Sequence, residues 1–114
     1  MHELGRFGEK IAMDYLKSNG HSILKKNFYT RFGEVDIFSN IHNRLHAIEV
    51  KTYRHAYLPI GYKINWKKKR RMIQCTQIFM DRFNLWGFYV QFDLIIVNND
   101  QVTHMENVFS LTDV

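Results

Sequence analysis

Gly33-Glu34-Val35-Asp36-Ile37-Phe38-Ser39 and, across the turn-forming stretch Asn40-Ile41-His42-Asn43-Arg44, Leu45-His46-Ala47-Ile48-Glu49-Val50-Lys51-Thr52 decide how this chain is to be read. Apolar runs on both sides of that polar stretch predict a hairpin of two strands, Glu34 to Ser39 and Leu45 to Thr52. Side chains alternate faces along a strand, so Glu49 and Lys51 project on one side, about 6 to 7 Å apart along the chain, and Ile48 and Val50 on the other. A carboxylate and an ammonium set amid Leu45, Ala47, Ile48 and Val50 cost desolvation energy unless they are paired or hold an ion. Asp36 on the neighbouring strand completes the cluster. Two close carboxylates repel; a hard divalent cation relieves the repulsion by accepting their oxygens, and the lysine can then meet phosphate charge. A cross-strand ion pair on a solvated face accounts for the same spacing. Gly33 permits a positive-φ entry that would aim Asp36 from a defined position, and this sets the metal-dependent phosphodiester reading level with the ion-pair reading.

Upstream, Leu4, Phe7, Ile11, Ala12 and Tyr15 recur at helical spacing and predict a helix from His2 to Asn19, closed by Gly20. Glu9 lies on the flank shared by Gly5, Ala12 and Leu16, bordering the core. Gly5 and Gly8 each cost about 1 kcal/mol in helix propensity, which points to a close backbone approach beside Glu9. A solvated glutamate near a helix start is the alternative. Ser22 to Tyr29 reads as a strand with Lys25 and Lys26 marking an exposed edge.

Downstream, Tyr53 to Lys63 reads as a loop holding Pro59 and Gly61. A second helix is expected from the N-cap Asn65 to Phe83, with Met72, Ile73, Thr76, Phe79, Met80 and Phe83 as its core stripe. Its first two turns crowd Lys67, Lys68, Lys69, Arg70 and Arg71 at the positive end of the helix dipole. A bound phosphate would offset both the dipole and the mutual repulsion; a solvated basic run with snorkelling stems is the plainer reading. Phe88 to Asn98 and Gln101 to Phe109 read as closing strands. Asp93, buried in the first of these, is expected to hydrogen-bond backbone or a cation in a structural role. The histidines show no ligand spacing, and His42 and His46 are read as surface residues beside a turn.

A length of 114 residues with 46% hydrophobic and 15% aromatic content predicts one globular domain spanning the chain, 1–114. The single cysteine, Cys75, excludes an internal disulfide and fits a reducing compartment. The start Met-His-Glu-Leu-Gly lacks an apolar signal core, and the uncharged run Phe83 to Phe92 is too short to span a bilayer, so a cytoplasmic protein without a membrane partner is expected. The net charge of +5 is unevenly spread, since residues 1–82 carry all sixteen Lys and Arg against seven Asp and Glu. That asymmetry suits a polyanionic partner for the N-terminal two-thirds. The aromatic segment after Arg82 suits core or a homodimer contact.

In order and spacing, Gly5-x-x-Gly8-Glu9-x-x-Ala12, Gly20, Asn27, Gly33-Glu34-Val35-Asp36, Glu49-Val50-Lys51-Thr52, Lys68 and Phe92-Asp93 resemble the bacterial YraN-like proteins over about residues 2 to 97. The resemblance implies the fold of PD-(D/E)XK nucleases, particularly archaeal Holliday-junction resolvases: α/β, restriction-endonuclease-like, a mixed β-sheet flanked by α-helices. It further implies Asp36 and Glu49 as ligands of Mg²⁺ or Mn²⁺, Lys51 as the catalytic lysine, Glu9 as a first-helix acid reaching the same metal, and Lys68 near the phosphate. With Lys67, Lys69, Arg71 and Arg54 as further nucleic-acid contacts, the expected activity is hydrolysis of phosphodiester bonds in structured or branched DNA. The rival expectation is a non-catalytic nucleic-acid-binding or assembly module that keeps the nuclease fold. Where relatives carry an arginine after the Val-Lys-Thr run, this chain has Tyr53 and then Arg54.

Overall fold

The hairpin forms where expected and becomes the centre of a five-stranded sheet. The computed structural model describes residues 3–54 and 62–112. In chain order the elements are α1 (Glu3–Ser18), β1 (Ser22–Thr30), β2 (Gly33–Ile41), β3 (Arg44–Tyr53), α2 (Trp66–Arg82), β4 (Tyr89–Asn98) and β5 (Gln101–Phe109). The strands lie side by side in that order, all antiparallel except β3 and β4, which run parallel with α2 between them in the chain. Two antiparallel strands need only a short turn, whereas a parallel pair needs a crossover, and α2 supplies it. This is the α/β, restriction-endonuclease-like arrangement of a mixed sheet flanked by helices.

Each face of the sheet is covered by one helix, because the apolar residues alternate. Leu45, Ala47, Phe92 and Leu94 join Met72, Phe79 and Met80 of α2 in one buried cluster. Ile37, Ile48, Ile95 and Val97 join Ala12 and Leu16 of α1 in the other. The Phe38 and Phe79 rings stack at 3.9 Å between centroids. Cys75 is buried on α2 as a small core residue.

Local chemistry sets the helix ends. Asn65 caps α2, its side-chain oxygen accepting from Lys68 N at 2.8 Å. Gly20 takes φ of +91° after α1, and the Gly20 and His21 N–H groups return to Lys17 and Leu16 carbonyls. Gly8 is the predicted close approach: a Cβ there would stand 1.9 Å from Thr52 Oγ1 and 2.8 Å from Thr52 Cβ, so only glycine lets α1 settle on β3.

Several expectations shift. The buried face of α1 is Gly8, Glu9, Ala12 and Leu16, the flank of the predicted stripe, while Phe7 is half-exposed beneath the Arg54 guanidinium. The close contact at Gly8 turns that flank inward. Phe83, placed in the core stripe of α2, is half-exposed because the helix ends at Arg82. His46, read as a surface residue, is buried at 2% exposure. It shares strand parity with Ile48 and Val50 and so points under α1, whereas His42 in the turn is exposed as expected. Most of the loop predicted for Tyr53 to Lys63, with Pro59 and Gly61, lies outside the described residues, although Tyr53 itself still belongs to β3.

Candidate functional site

The sheet forks at the predicted cluster. Pairing between β2 and β3 runs from Ile41 and Arg44 to Ile37 and Ile48 and stops there. Beyond that point β2 stays with β1 as far as Gly33, and β3 stays with β4 as far as Tyr53. Asp36 is the first residue past the last β2–β3 pair, level with Glu49. Its Oδ2 accepts the Val50 N–H at 2.8 Å, closing the gap that the parting strands leave. The fork thus exposes ladder groups and supplies a carboxylate to meet them.

Four carboxylates gather here: Glu9 from α1, Glu34 and Asp36 from β2, and Glu49 from β3. Glu9, Asp36 and Glu49 are each less than a tenth exposed. Burial first, and the Asp36 charge second, push Glu9 up to about 7; the Asn27 side chain hydrogen-bonds it and opposes the rise. Burial, then repulsion from Glu49, raise Asp36 to about 7, against the lowering effect of the Val50 N–H and of Lys68. Glu34 is raised by burial and by Asp36. Two lysines face the group. Lys68 Nζ lies 3.5 Å from Glu49 Oε1, and Lys51 Nζ lies 3.9 Å from Glu49 Oε2. Lys51 also sits 5.7 Å from the Tyr62 ring centre, and its pKa is raised despite burial by Glu49 and then by Tyr62.

Glu9, Asp36, Glu49, Lys51 and Lys68 are therefore neighbours. Among the other basic residues, Lys67 and Arg71 line one cavity with Arg31, Trp66 and Arg70, while Lys69 turns away over the Phe109 ring and Arg54 lies over Phe7. Glu34, Arg31 and Trp66 were not anticipated. Glu34 could have been found from its place in the same Gly-Glu-Val-Asp turn.

The donors suit a hard divalent cation, since all are oxygens, and Glu34 Oε2 and Asn27 Oδ1 are buried without a hydrogen-bond partner. A cation would offset both the burial and the repulsion that raise Glu9 and Asp36. Glu49 is meanwhile held by lysines. The set of three or more His, Cys, Asp or Glu whose ligand atoms approach within 4.8 Å among the described residues lies elsewhere, at His46, Asp93, His104 and Glu106.

The raised carboxyls give a stability test. Asp36 titrates near 3.8 when unfolded and near 7 when folded, so its contribution to stability is complete below about pH 4 and is lost as pH rises through 7. His21 and Asp93, both shifted downward, act in the opposite sense, so the comparison is made with Asp36→Asn. In chelator-treated buffer the variant should melt several degrees above wild type at pH 8, and the gap should shrink at pH 5. An equal gap at both values would show that Asp36 carries no burial penalty.

The fold defines a restriction-endonuclease-like protein with acids and lysines crowded at a strand fork. A model of the uncharacterised protein family UPF0102 matches residues 8–97. Similar proteins include a UPF0102 protein of Persephonella marina, 34% identical over 94% of this chain and 93% of its own length. Another, from Thermodesulfovibrio yellowstonii, is 36% identical over 94% of this chain and 96% of its own. A third, from Clostridium botulinum, is 33% identical over 96% and 95%. The chain belongs to the UPF0102 family, the YraN-like proteins. No helix among the described residues is long and apolar enough to cross a membrane.

Proposed function

We propose that this protein is a Mg²⁺- or Mn²⁺-dependent endonuclease that hydrolyses phosphodiester bonds in structured or branched DNA. The observation that carries this reading is the fork itself: Glu9, Asp36 and Glu49 are buried together, two of them raised to about 7, with Lys51 and Lys68 alongside. Such crowding is costly in a bare protein and is stabilising around a cation and a phosphate.

Asp36, Glu49 and Glu9 would hold the ion, which when bound supplies Lewis-acid stabilisation of charge on the phosphoryl oxygens. Lys51, 3.9 Å from Glu49, would orient water and neutralise developing negative charge. Lys68, now paired with Glu49, would turn towards the phosphate. Outside the fork, Lys67, Arg70, Arg71 and Arg31 offer phosphate contacts, and Trp66, exposed beside them, offers a stacking surface. Backbone contacts carry little base information, so recognition would follow DNA shape.

The test pairs calorimetric Mn²⁺ titration with cleavage of branched and linear DNA in the same buffers. Wild type should bind and cleave, Asp36→Ala should do neither, and Lys67→Ala with Arg71→Ala should flatten the dependence of log affinity on log salt by about one unit per lost phosphate contact. DNA binding with this salt dependence but without Mn²⁺ binding would replace the nuclease reading with a non-catalytic binding module.

A further inference from the structure

On the face of the sheet covered by α1, away from Glu49, three strands bring a second set of ligand-bearing side chains together. His46 Nδ1 of β3 and His104 Nε2 of β5 approach one carboxylate oxygen, Asp93 Oδ2 of β4, at 2.7 and 2.8 Å. The carboxylate of Glu106 completes a group whose ligand atoms all lie within 4.8 Å of one another. Asp93 is fully buried and His46 nearly so.

Asp93, His104 and Glu106 are each held from behind. Asp93 Oδ1 accepts from Gln91 Nε2 at 2.9 Å and from the Asn107 N–H at 3.0 Å. The Asn107 contact exists because β5 bulges here: Phe92 pairs with Phe109 and Leu94 with Met105, leaving Asp93 opposite a break in which Asn107 takes φ of +54°. His104 Nδ1 meets Tyr15 Oη at 3.0 Å, and Glu106 Oε1 accepts from Gln91 Nε2 at 3.2 Å. Outer hydrogen bonds of this kind fix ring orientation and tautomer in metal sites. A cavity of about 500 Å³, lined by His21, His46, Gln91, His104 and Glu106 among others, opens onto the cluster.

We infer that His46, Asp93, His104 and Glu106 form a site for a borderline divalent transition ion such as Zn²⁺, distinct from the oxygen-only fork. Two imidazoles with one or two carboxylates are a donor set for Zn²⁺ and its neighbours, whereas Mg²⁺ prefers oxygen alone. Donor atoms bonded at about 2.0–2.1 Å in a tetrahedron stand roughly 3.3 Å apart, so the ring nitrogens would withdraw from Asp93 by about half an ångström. Binding through Nε2 would release the proton that His104 now directs at Asp93, and the remaining ring proton would sit on Nδ1, facing Tyr15 Oη. The ion would then tie β3, β4 and β5 together.

The test uses chelator-stripped full-length protein titrated with Zn²⁺ by calorimetry and with Co²⁺ by visible absorption. Wild type should take up one ion at micromolar affinity or tighter and give Co²⁺ bands typical of low coordination number. His46→Gln and His104→Gln should each weaken this binding by at least tenfold and abolish the Co²⁺ bands, while Glu49→Gln, which alters only the fork, should keep those bands. Circular dichroism establishes that each variant is folded; His104, only partly buried, serves if the His46 variant is not. Absence of binding in wild type, undiminished binding in folded His104→Gln, or a loss confined to Glu49→Gln would overturn the inference.

Discussion

Replacing Glu49 by glutamine should reduce Mn²⁺-dependent DNA cleavage by about a hundredfold or more while leaving DNA affinity within a few-fold of wild type or slightly tighter. Glu49 is buried at 4% exposure, and its two oxygens face Lys68 and Lys51. Glutamine keeps the shape and removes the charge, so the loss reports on the carboxylate rather than on packing. The same change frees two lysines to face phosphate, which is why affinity should not fall. It also removes the main charge repelling Asp36, whose carboxyl should then titrate lower. Single-turnover cleavage and fluorescence anisotropy on the same DNA separate the two effects. Unchanged cleavage would reject the assignment of Glu49 to the reacting site.

Asp93→Ala should cost about 3–5 kcal/mol of stability, the usual consequence of deleting one partner of a buried charged network. Four groups lose an acceptor at once: His46, His104, the Asn107 N–H and the Gln91 amide, which keeps only Glu106. Despite burial, the hydrogen bonds from His104 and His46 and then the Asn107 N–H hold the Asp93 carboxyl well below the usual carboxylate range. A depressed carboxyl contributes stability above its unfolded value near 3.8 and loses it as pH falls below that, so the gap between wild type and variant should be wide at pH 7 and narrow under strong acid. Urea or thermal melts read it directly. A variant melting within two or three degrees of wild type, on a scale of roughly 4 °C or more per kcal/mol, would mean that the network is not structural.

The order and type of the elements were legible because their signals are local: alternation around the β2–β3 turn, the Asn65 cap, and Gly20 after α1. The grouping of Asp36, Glu49 and Lys51 was legible for the same reason, since strand parity and one hairpin bring them close. The face that α1 buries was not, because Phe7 and Ile11 outweigh Gly8 in any count of apolar residues, and only the contact with Thr52 reveals that the glycine side is the inner one. The His46–Asp93–His104 cluster joins residues far apart in the chain through a parallel pairing and a bulge, neither of which leaves a periodic trace. Parity alone could have placed His46 inward with Ile48 and Val50. Which basic residues of α2 share a cavity depended on Arg31 and Phe32 arriving from the β1–β2 turn.

The parallel pairing of β3 with β4 also orders events during synthesis. Through Tyr53 the chain can form the β1–β2–β3 meander, with every acid of the fork already present. One full edge of β3 then stays open until α2 has been made and β4, beginning at Tyr89, can dock against it. That edge carries Leu45, Ala47, Ile48 and Val50 and has no interior proline, the profile of a strand that recruits another chain. Translation of residues 54–88 is therefore a window in which a stalled chain would offer a nearly complete acidic cluster on a sheet prone to intermolecular pairing, and a fragment ending there should aggregate where the full chain does not.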